Sequence, residues 1–247
     1  MGRAFDLTND GRSFNIVYVR SIWILLGRRT TRAIALVCVA DGLVGISYGA
    51  VAVHSGLQPW VVLALALLVL AGASEILFVG IVAAGGSPLT AALAGLLVNA
   101  RHLPFGLAIH EVVGTGWRRI LGTHLLNDES VVFALDQDTL DRKRAAFWAC
   151  GLGILLCWPA GAALGAFAGS VIEDTDAFGL DAMFPAVLLA LIFPALRERR
   201  TRRAALVGAV VAVAATPFLP AGVPVLLSLV GLLLGFGRRR PTKQVAS

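Results

Sequence analysis

The stretch that decides the fold is WVVLALALLVLAGASEILFVGIVAA at residues 60–84, which holds a single ionisable side chain, Glu75. About 20 consecutive apolar residues let a helix cross the hydrocarbon core of a bilayer. Runs of this kind recur at 33–53, 60–84, 88–110, 145–170, 182–196, 204–217 and 222–236. They are long, rich in Leu, Ala and Val, and studded with Gly, which is typical of membrane helices and not of barrel strands. We therefore predict an all-α, polytopic helical membrane protein with six to seven transmembrane spans.

The composition requires lipid as a solvent. Of the 247 residues, 57% are hydrophobic and 15% charged, and the mean hydropathy is +0.82, so polar groups are too few to cover a globular surface. The pI of about 10.0 does not predict nucleic-acid binding, because the cations cluster beside the apolar runs, where they set topology. The clusters are Arg28, Arg29 and Arg32; Arg142, Lys143 and Arg144; Arg197, Arg199, Arg200, Arg202 and Arg203; and Arg238, Arg239 and Arg240.

The three cysteines, Cys38, Cys150 and Cys157, lie inside predicted helices and lack the spacing of metal ligands. We interpret them as small buried apolar residues. The sequence also has no Gly-rich nucleotide-binding loop that ends in Gly-Lys-Ser or Gly-Lys-Thr. We therefore expect neither a metal nor a cofactor.

The basic clusters orient the chain. Loops rich in Lys and Arg stay in the cytoplasm, which predicts a multi-pass protein of the cytoplasmic (inner) membrane with both termini inside. The expected parts are an N-terminal cytoplasmic tail or interfacial helix at 1–32, a transmembrane domain at 33–236, and a basic cytoplasmic tail at 237–247.

The number of spans depends on residues 60–84. If this run and the next both cross fully, the basic residues around Arg118 and Arg142 fall on opposite sides of the membrane. In the arrangement we favour, 60–84 is a broken, re-entrant second helix interrupted at Gly72-Ala73-Ser74. In the other, 120–135 forms a seventh crossing and buries its acidic residues, which is costly.

Glu75 is the first candidate for a functional residue, because an ionisable side chain inside an apolar run needs a partner or a task. The Gly and Ser before it weaken the helix and favour a break of the kind that carriers use to bind ligands. The alternative is structural, with Glu75 paired to Arg101 to hold two helices together.

A second polar cluster follows in the run 88–110. Asn99 and His102 are three residues apart and share a face of a continuous helix, and Pro104 kinks the helix after them. Arg101 either binds a carboxylate or lies near the inner interface and extends towards water. His102 either carries a proton or forms a structural hydrogen bond.

The third polar group is Asn127-Asp128-Glu129-Ser130. These residues suit a helix N-cap followed by an acidic first turn. Their functional interpretation is an acidic gate or a point of proton entry.

Three of these elements together are specific. The segments LAGASE at 70–75, GSPL at 86–89 and LVNARH at 97–102 resemble the AzlC family of branched-chain amino acid exporters in their order and spacing. Asp128-Glu129 resembles the family's Asp-Glu motif, and Gly45-Ile46-Ser47-Tyr48-Gly49 its first-helix Gly-x-x-x-Gly. The chain departs from the family at Leu43, where a proline is usual, and at Pro104 and Phe105.

The resemblance implies export of valine, isoleucine, leucine and, in some members, methionine, together with a small AzlD-type partner subunit. Carried over by position, it implies that the amino-acid substrate is bound by Ala73, Ser74, Glu75, Asn99, Arg101 and His102. Candidates for proton coupling are Glu75, His102, Asp128 and Glu129. We expect a secondary carrier and not an enzyme; the alternatives are a membrane subunit of an ATP-driven permease and an intramembrane serine protease with Ser74 as its nucleophile.

Overall fold

A computed structural model describes residues 13–171, 193, 195–220 and 222–233, and every regular element among them is helical. The helices are α1 (Ser13–His54), α2 (Pro59–Leu68), α3 (Gly72–Ala83), α4 (Pro88–Asn99), α5 (His102–Ala108), α6 (His110–Val113), α7 (Trp117–His124), α8 (Asp128–Leu135), α9 (Leu140–Val171), α10 (Arg199–Ala215), α11 (Val223–Leu227) and α12 (Val230–Leu233), with a 3-10 turn at Ala195–Arg197. The prediction of an all-α chain is confirmed for these residues.

Two helices are long and apolar enough to cross a membrane, Ile24–His54 and Leu140–Val171. They contain the predicted runs 33–53 and 145–170. The other described runs are divided into shorter helices, and most of 182–196 falls outside the described residues. The count of six to seven spans therefore stays a prediction.

The boundary near the N-terminus is a glycine. Ser13 to Leu26 is helical, and Gly27, with φ 70° and ψ 163°, interrupts the helical backbone before α1 continues to His54. Glycine adopts this left-handed φ without the steric cost that a Cβ would bring. The two segments of α1 can therefore point in different directions.

The chain forms two compact units. The first comprises residues 1–43 and 101–161, and the second comprises 44–100 and 162–247, so α1 and α9 each contribute to both. The second unit contains the helix pair α3 and α4 as well as α10 to α12.

Small residues bring α1 and α9 together within each unit. In the first, Gly161 lies directly against the backbone of Gly42. In the second, Gly165 lies against the carbonyl of Ile46, and a Cβ on Gly169 would stand 2.8 Å from the Ala50 carbonyl oxygen. These three glycines lie four residues apart on α9 and form a groove that allows close helix approach.

The groove predicts opposite effects for two Gly→Ala substitutions. Gly165→Ala forces a methyl group into the Ile46 backbone, and we expect a loss of about 1–3 kcal/mol in stability, as for other overpacked cores. Gly80→Ala in α3 meets nothing within 4 Å and should gain up to about 1 kcal/mol from helix propensity. Thermal unfolding of both variants in detergent measures the difference, and equal melting temperatures would contradict it.

Candidate functional site

The second apolar run is broken, as predicted, but the break lies earlier than expected. Helix α2 ends at Leu68 and α3 begins at Gly72. Between them, Leu70 has φ 48° and Ala71 has φ −141° and ψ 73°. The predicted interruption at Gly72-Ala73-Ser74 is therefore wrong in position, because these residues form the first turn of α3. The left-handed residue is a leucine, which makes the break unfavourable by itself.

Side chains of α3 compensate by hydrogen bonding to the broken backbone. The Glu75 Oε1 atom accepts from the Ala71 N–H at 2.9 Å, and the Ser74 hydroxyl donates to the Ala71 carbonyl at 2.8 Å. A glutamate that accepts a hydrogen bond from the backbone N–H at the start of its own helix acts like the glutamate of a capping box. A carboxylate at this end also complements the positive end of the helix dipole.

This site is closed to solvent. Glu75 is 1% exposed and Ser74 is 3% exposed, while Ala73 beside them is half-buried. The Ser74 hydroxyl, the predicted nucleophile in the serine protease alternative, is taken up by its bond to Ala71. Its observed role is to hold the break.

Tyr48 completes the surroundings of Glu75, and the sequence analysis did not single it out. Its side chain is buried on α1 in the second unit and lies close enough to the Glu75 side chain for the two groups to interact. In such a pair the phenol is the group that can donate a hydrogen to the carboxylate. The sequence signal that could have identified Tyr48 as a site residue is its polar phenol in the stretch Gly45-Ile46-Ser47-Tyr48-Gly49, which contributed only to the family resemblance.

Helix α4 packs against the same turn. A Cβ on Gly95 would stand 3.5 Å from both the Cβ and the carbonyl oxygen of Ser74. Asn99 follows Gly95 by four residues and therefore lies on the same face of α4. Helix α4 begins where the predicted run 88–110 begins, with Pro88 in its first turn and Ser87 as the N-cap, accepting from the Thr90 N–H at 3.1 Å.

The Asn99–His102 segment is not continuous helix. Helix α4 ends at Asn99 and α5 begins at His102. Ala100 and Arg101 between them keep right-handed helical dihedrals, and the shared face of Asn99 and His102 stays a prediction. Pro104 accounts for the break, because it has no N–H to donate to the Ala100 carbonyl four residues earlier. The kink therefore falls before Pro104 and within the polar cluster.

In the first unit, Arg101 has a carboxylate partner. Its guanidinium Nη2 lies 2.6 Å from the Asp128 Oδ2, and the two side chains are 33% and 42% exposed. An ion pair this accessible to solvent contributes about 0–1 kcal/mol to stability. Another anion can therefore exchange with Asp128 at little cost. The His102 ring meets Phe105 edge to face, with 6.2 Å between ring centroids.

The N-cap predicted at the start of α8 is confirmed. The Asn127 side chain accepts from the Ser130 N–H at 2.8 Å, and the Ser130 hydroxyl accepts from the Asn127 N–H at 3.1 Å. This capping box places Asp128 and Glu129 in the first turn of α8. Their part in proton movement stays a prediction.

Asp41 on α1 joins this acidic group and was missed as a site residue. Its carboxylate is close enough to Glu129 for their charges to interact, and its Oδ2 atom is buried without a hydrogen-bond partner among the described residues. Glu129 in turn interacts with the charges of Asp128 and Arg101. The first unit therefore holds two carboxylates, Asp128 and Glu129, beside the Arg101 guanidinium, and a third, Asp41, beside Glu129. In the part of the chain that is described, no group of three His, Cys, Asp or Glu residues could hold a metal ion.

The predicted site residues thus fall into two groups. Ala73, Ser74, Glu75 and Asn99 belong to the second unit. Arg101, His102, Asp128 and Glu129 belong to the first.

Comparison with known proteins places this geometry in a family. Residues 36–172 match the family model described as AzlC protein, which is more than half of the chain. The chain belongs to the AzlC family. The match covers α2 to α9 and the second part of α1, and with them both groups of site residues.

Two curated relatives agree with this assignment. The AzlC branched-chain amino acid transport protein of Bacillus subtilis is 26% identical over 198 residues, 76% of each chain. A membrane protein of Helicobacter pylori described as uncharacterized is 26% identical over 179 residues, 69% of this chain and 76% of its own. No solved structure matches the chain. AzlC membership and the apolar helices make this a membrane protein with a role in transport.

The hydrogen bonds of Glu75 predict how this AzlC protein tolerates substitution at the break. Glu75→Ala leaves the buried Ala71 N–H without its acceptor, and a buried unsatisfied group costs about 1–3 kcal/mol. Glu75→Gln keeps an acceptor oxygen and should lose clearly less. Glu111→Ala, at a side chain 69% exposed, is the matched control. Thermal unfolding that ranks Glu75→Ala level with this control would contradict the capping role.

Proposed function

We propose that this chain exports branched-chain amino acids, namely valine, isoleucine, leucine and also methionine, across the cytoplasmic membrane. In this proposal it is a proton-coupled secondary carrier that works with a small AzlD-type subunit. The observation that carries the proposal is a buried carboxylate, Glu75, at a helix break in a chain of the AzlC family. The B. subtilis relative, named a branched-chain amino acid transport protein, supports the choice of substrate.

The break in the second unit suits one end of an amino acid. A substrate ammonium can replace the Ala71 N–H as a donor to Glu75, with the added benefit of its charge. The N-terminal N–H groups of α3 suit a carboxylate, because the first N–H groups of a helix have no partner within it. Broken helices in many carriers offer these two features side by side. Apolar side chains of α3 and α4 nearby, such as Ile76, suit an aliphatic tail.

The acidic group of the first unit suits proton movement. Carboxylates inside membrane bundles are the usual carriers of protons in pumps and transporters. Asp128 and Glu129 interact with the guanidinium of Arg101, and Asp41 interacts with Glu129. A proton on any one of them changes which carboxylate pairs with Arg101, and a substrate carboxylate can compete for the same guanidinium.

The first test concerns substrate and partner. Cells that lack their own exporter are loaded with dipeptides of valine, leucine or isoleucine, and efflux of the free amino acid is followed with this chain expressed alone and together with an AzlD-type subunit. We expect faster efflux only with the pair. Unchanged efflux in both cases, with both proteins found in the membrane, would remove branched-chain amino acids as the substrate.

The second test concerns Glu75. Glu75→Gln keeps a hydrogen-bond acceptor for Ala71 but removes the charge that would meet a substrate ammonium and the group that would carry a proton. We expect the variant to insert normally and to lose export against a concentration gradient, by at least about tenfold if an ion pair worth about 1.4 kcal/mol or more is lost. Asp138→Asn, at an exposed acid between α8 and α9, is the control. Export by Glu75→Gln at the control rate would exclude Glu75 from the mechanism.

A further inference from the structure

Helix α7 presents its apolar side away from the protein. At 100° per residue, Trp117, Ile120 and Leu121 share one side, and Arg118, Arg119 and Gly122 share the other. Gly122 packs inward, since a Cβ there would stand 2.7 Å from a Val113 methyl carbon and 3.4 Å from the Trp148 ring. Trp117 and Ile120 are 69% and 78% exposed. A soluble helix would show the reverse arrangement.

A basic cleft adjoins the inward side of α7. Its volume is about 870 Å³, and it is lined by three arginines, Arg118, Arg119 and Arg144, against two acids, Glu111 and Asp141. Arg144 is held by two hydrogen bonds from its guanidinium to the Glu111 carbonyl oxygen, at 3.0 and 3.3 Å. Among the described residues, none of the three arginines forms an ion pair. The cleft therefore has guanidinium groups available for an external anion.

The two features fit one ligand. An amphipathic helix with tryptophan on its apolar side and arginines on the other lies in the membrane interface, with the cations at the depth of the headgroups. The guanidinium of Arg118 also lies 5.9 Å from the centre of the Trp117 ring, which links the two sides of the helix. Guanidinium groups bind phosphate oxygens in pairs, which makes arginine the preferred residue for this anion.

We propose that α7 lies flat in the membrane–water interface and that the cleft formed with Arg118, Arg119 and Arg144 binds the headgroup of an anionic phospholipid. Neither Glu75 nor Arg101 is among the residues that line the cleft, and the proposal does not depend on which substrate is exported. On the expected topology these basic residues face the cytoplasm, where anionic lipids attract Lys and Arg next to the membrane.

Lipid binding tests the cleft. The purified full-length chain in neutral detergent is titrated with phosphatidylglycerol and with phosphatidylcholine, and bound lipid is counted by native mass spectrometry. Each basic residue near an anionic surface strengthens binding about fivefold, so Arg118→Gln with Arg119→Gln should weaken phosphatidylglycerol binding roughly 25-fold. Binding of phosphatidylcholine should be weak and should not change.

The matched control removes the same number of positive charges at two nearby residues that do not line the cleft. Arg142→Gln with Lys143→Gln lies outside the cleft lining and should cost only a few-fold. Arg118→Lys with Arg119→Lys keeps the charge and should retain most of the binding, which separates charge loss from misfolding. Equal losses in the two neutral pairs, or no preference for phosphatidylglycerol in the unaltered chain, would overturn the proposal. Displacement of the lipid by millimolar inorganic phosphate would also overturn it, because the ligand would then be a soluble anion.

The position of α7 has its own measurement. In vesicles that contain brominated phosphatidylcholine, the tryptophan fluorescence of the unaltered chain minus that of Trp117→Phe isolates Trp117. We expect this component to be quenched by the bromine atoms and protected from aqueous iodide. Strong quenching by iodide and none by bromine would place α7 in water, or under a protein partner in the cell, and would overturn the interfacial location.

Discussion

The hydrogen bond from the Ala71 N–H to the Glu75 carboxylate is the interaction on which the broken second run depends. Leu70 has a left-handed φ of 48°. Without stabilising contacts a leucine would adopt the right-handed helical region instead. If residues 69–71 relaxed into helix, α2 and α3 would merge into one apolar span. Glu75 and Ser74 prevent this by hydrogen bonding to the backbone of the break. The Glu75 side chain therefore both stabilises the local fold and provides the buried carboxyl group.

That double role limits how the break can work. A carboxylate that is 1% exposed is reached by a ligand only if the residues around it move. Because Glu75 also accepts from the Ala71 N–H, such a movement acts on the support of Leu70. Ligand binding at Glu75 and the backbone geometry of the break are therefore coupled directly through this one carboxylate.

How far the sequence predicted these features depends on how local their causes are. The cap at Ser87-Pro88 and the N-cap at Asn127 depend on side chains within three residues of the helix start, and the predicted one, at Asn127, is confirmed. The glycine groove on α9 also follows from a fixed spacing. The predicted position of the break was wrong because glycine and serine were taken as its cause. In the structure Leu70 has the unusual φ, and Ser74 and Glu75 stabilise the break by hydrogen bonds to Ala71.

Tyr48 and Asp41 show what sequence spacing does not provide. Each meets its partner across more than 25 residues of chain, Tyr48 at Glu75 and Asp41 at Glu129, and no periodicity within one helix predicts such a contact. Glycine packing fixes the position of α1 along α9, because Gly42 and Ile46 lie so close to α9 that the opposite glycines have no room for a Cβ. Asp41 precedes this contact and Tyr48 follows it on the same helix. Polar residues of α1 that look isolated in the sequence are thus placed beside carboxylates of α8 in the first unit and of α3 in the second.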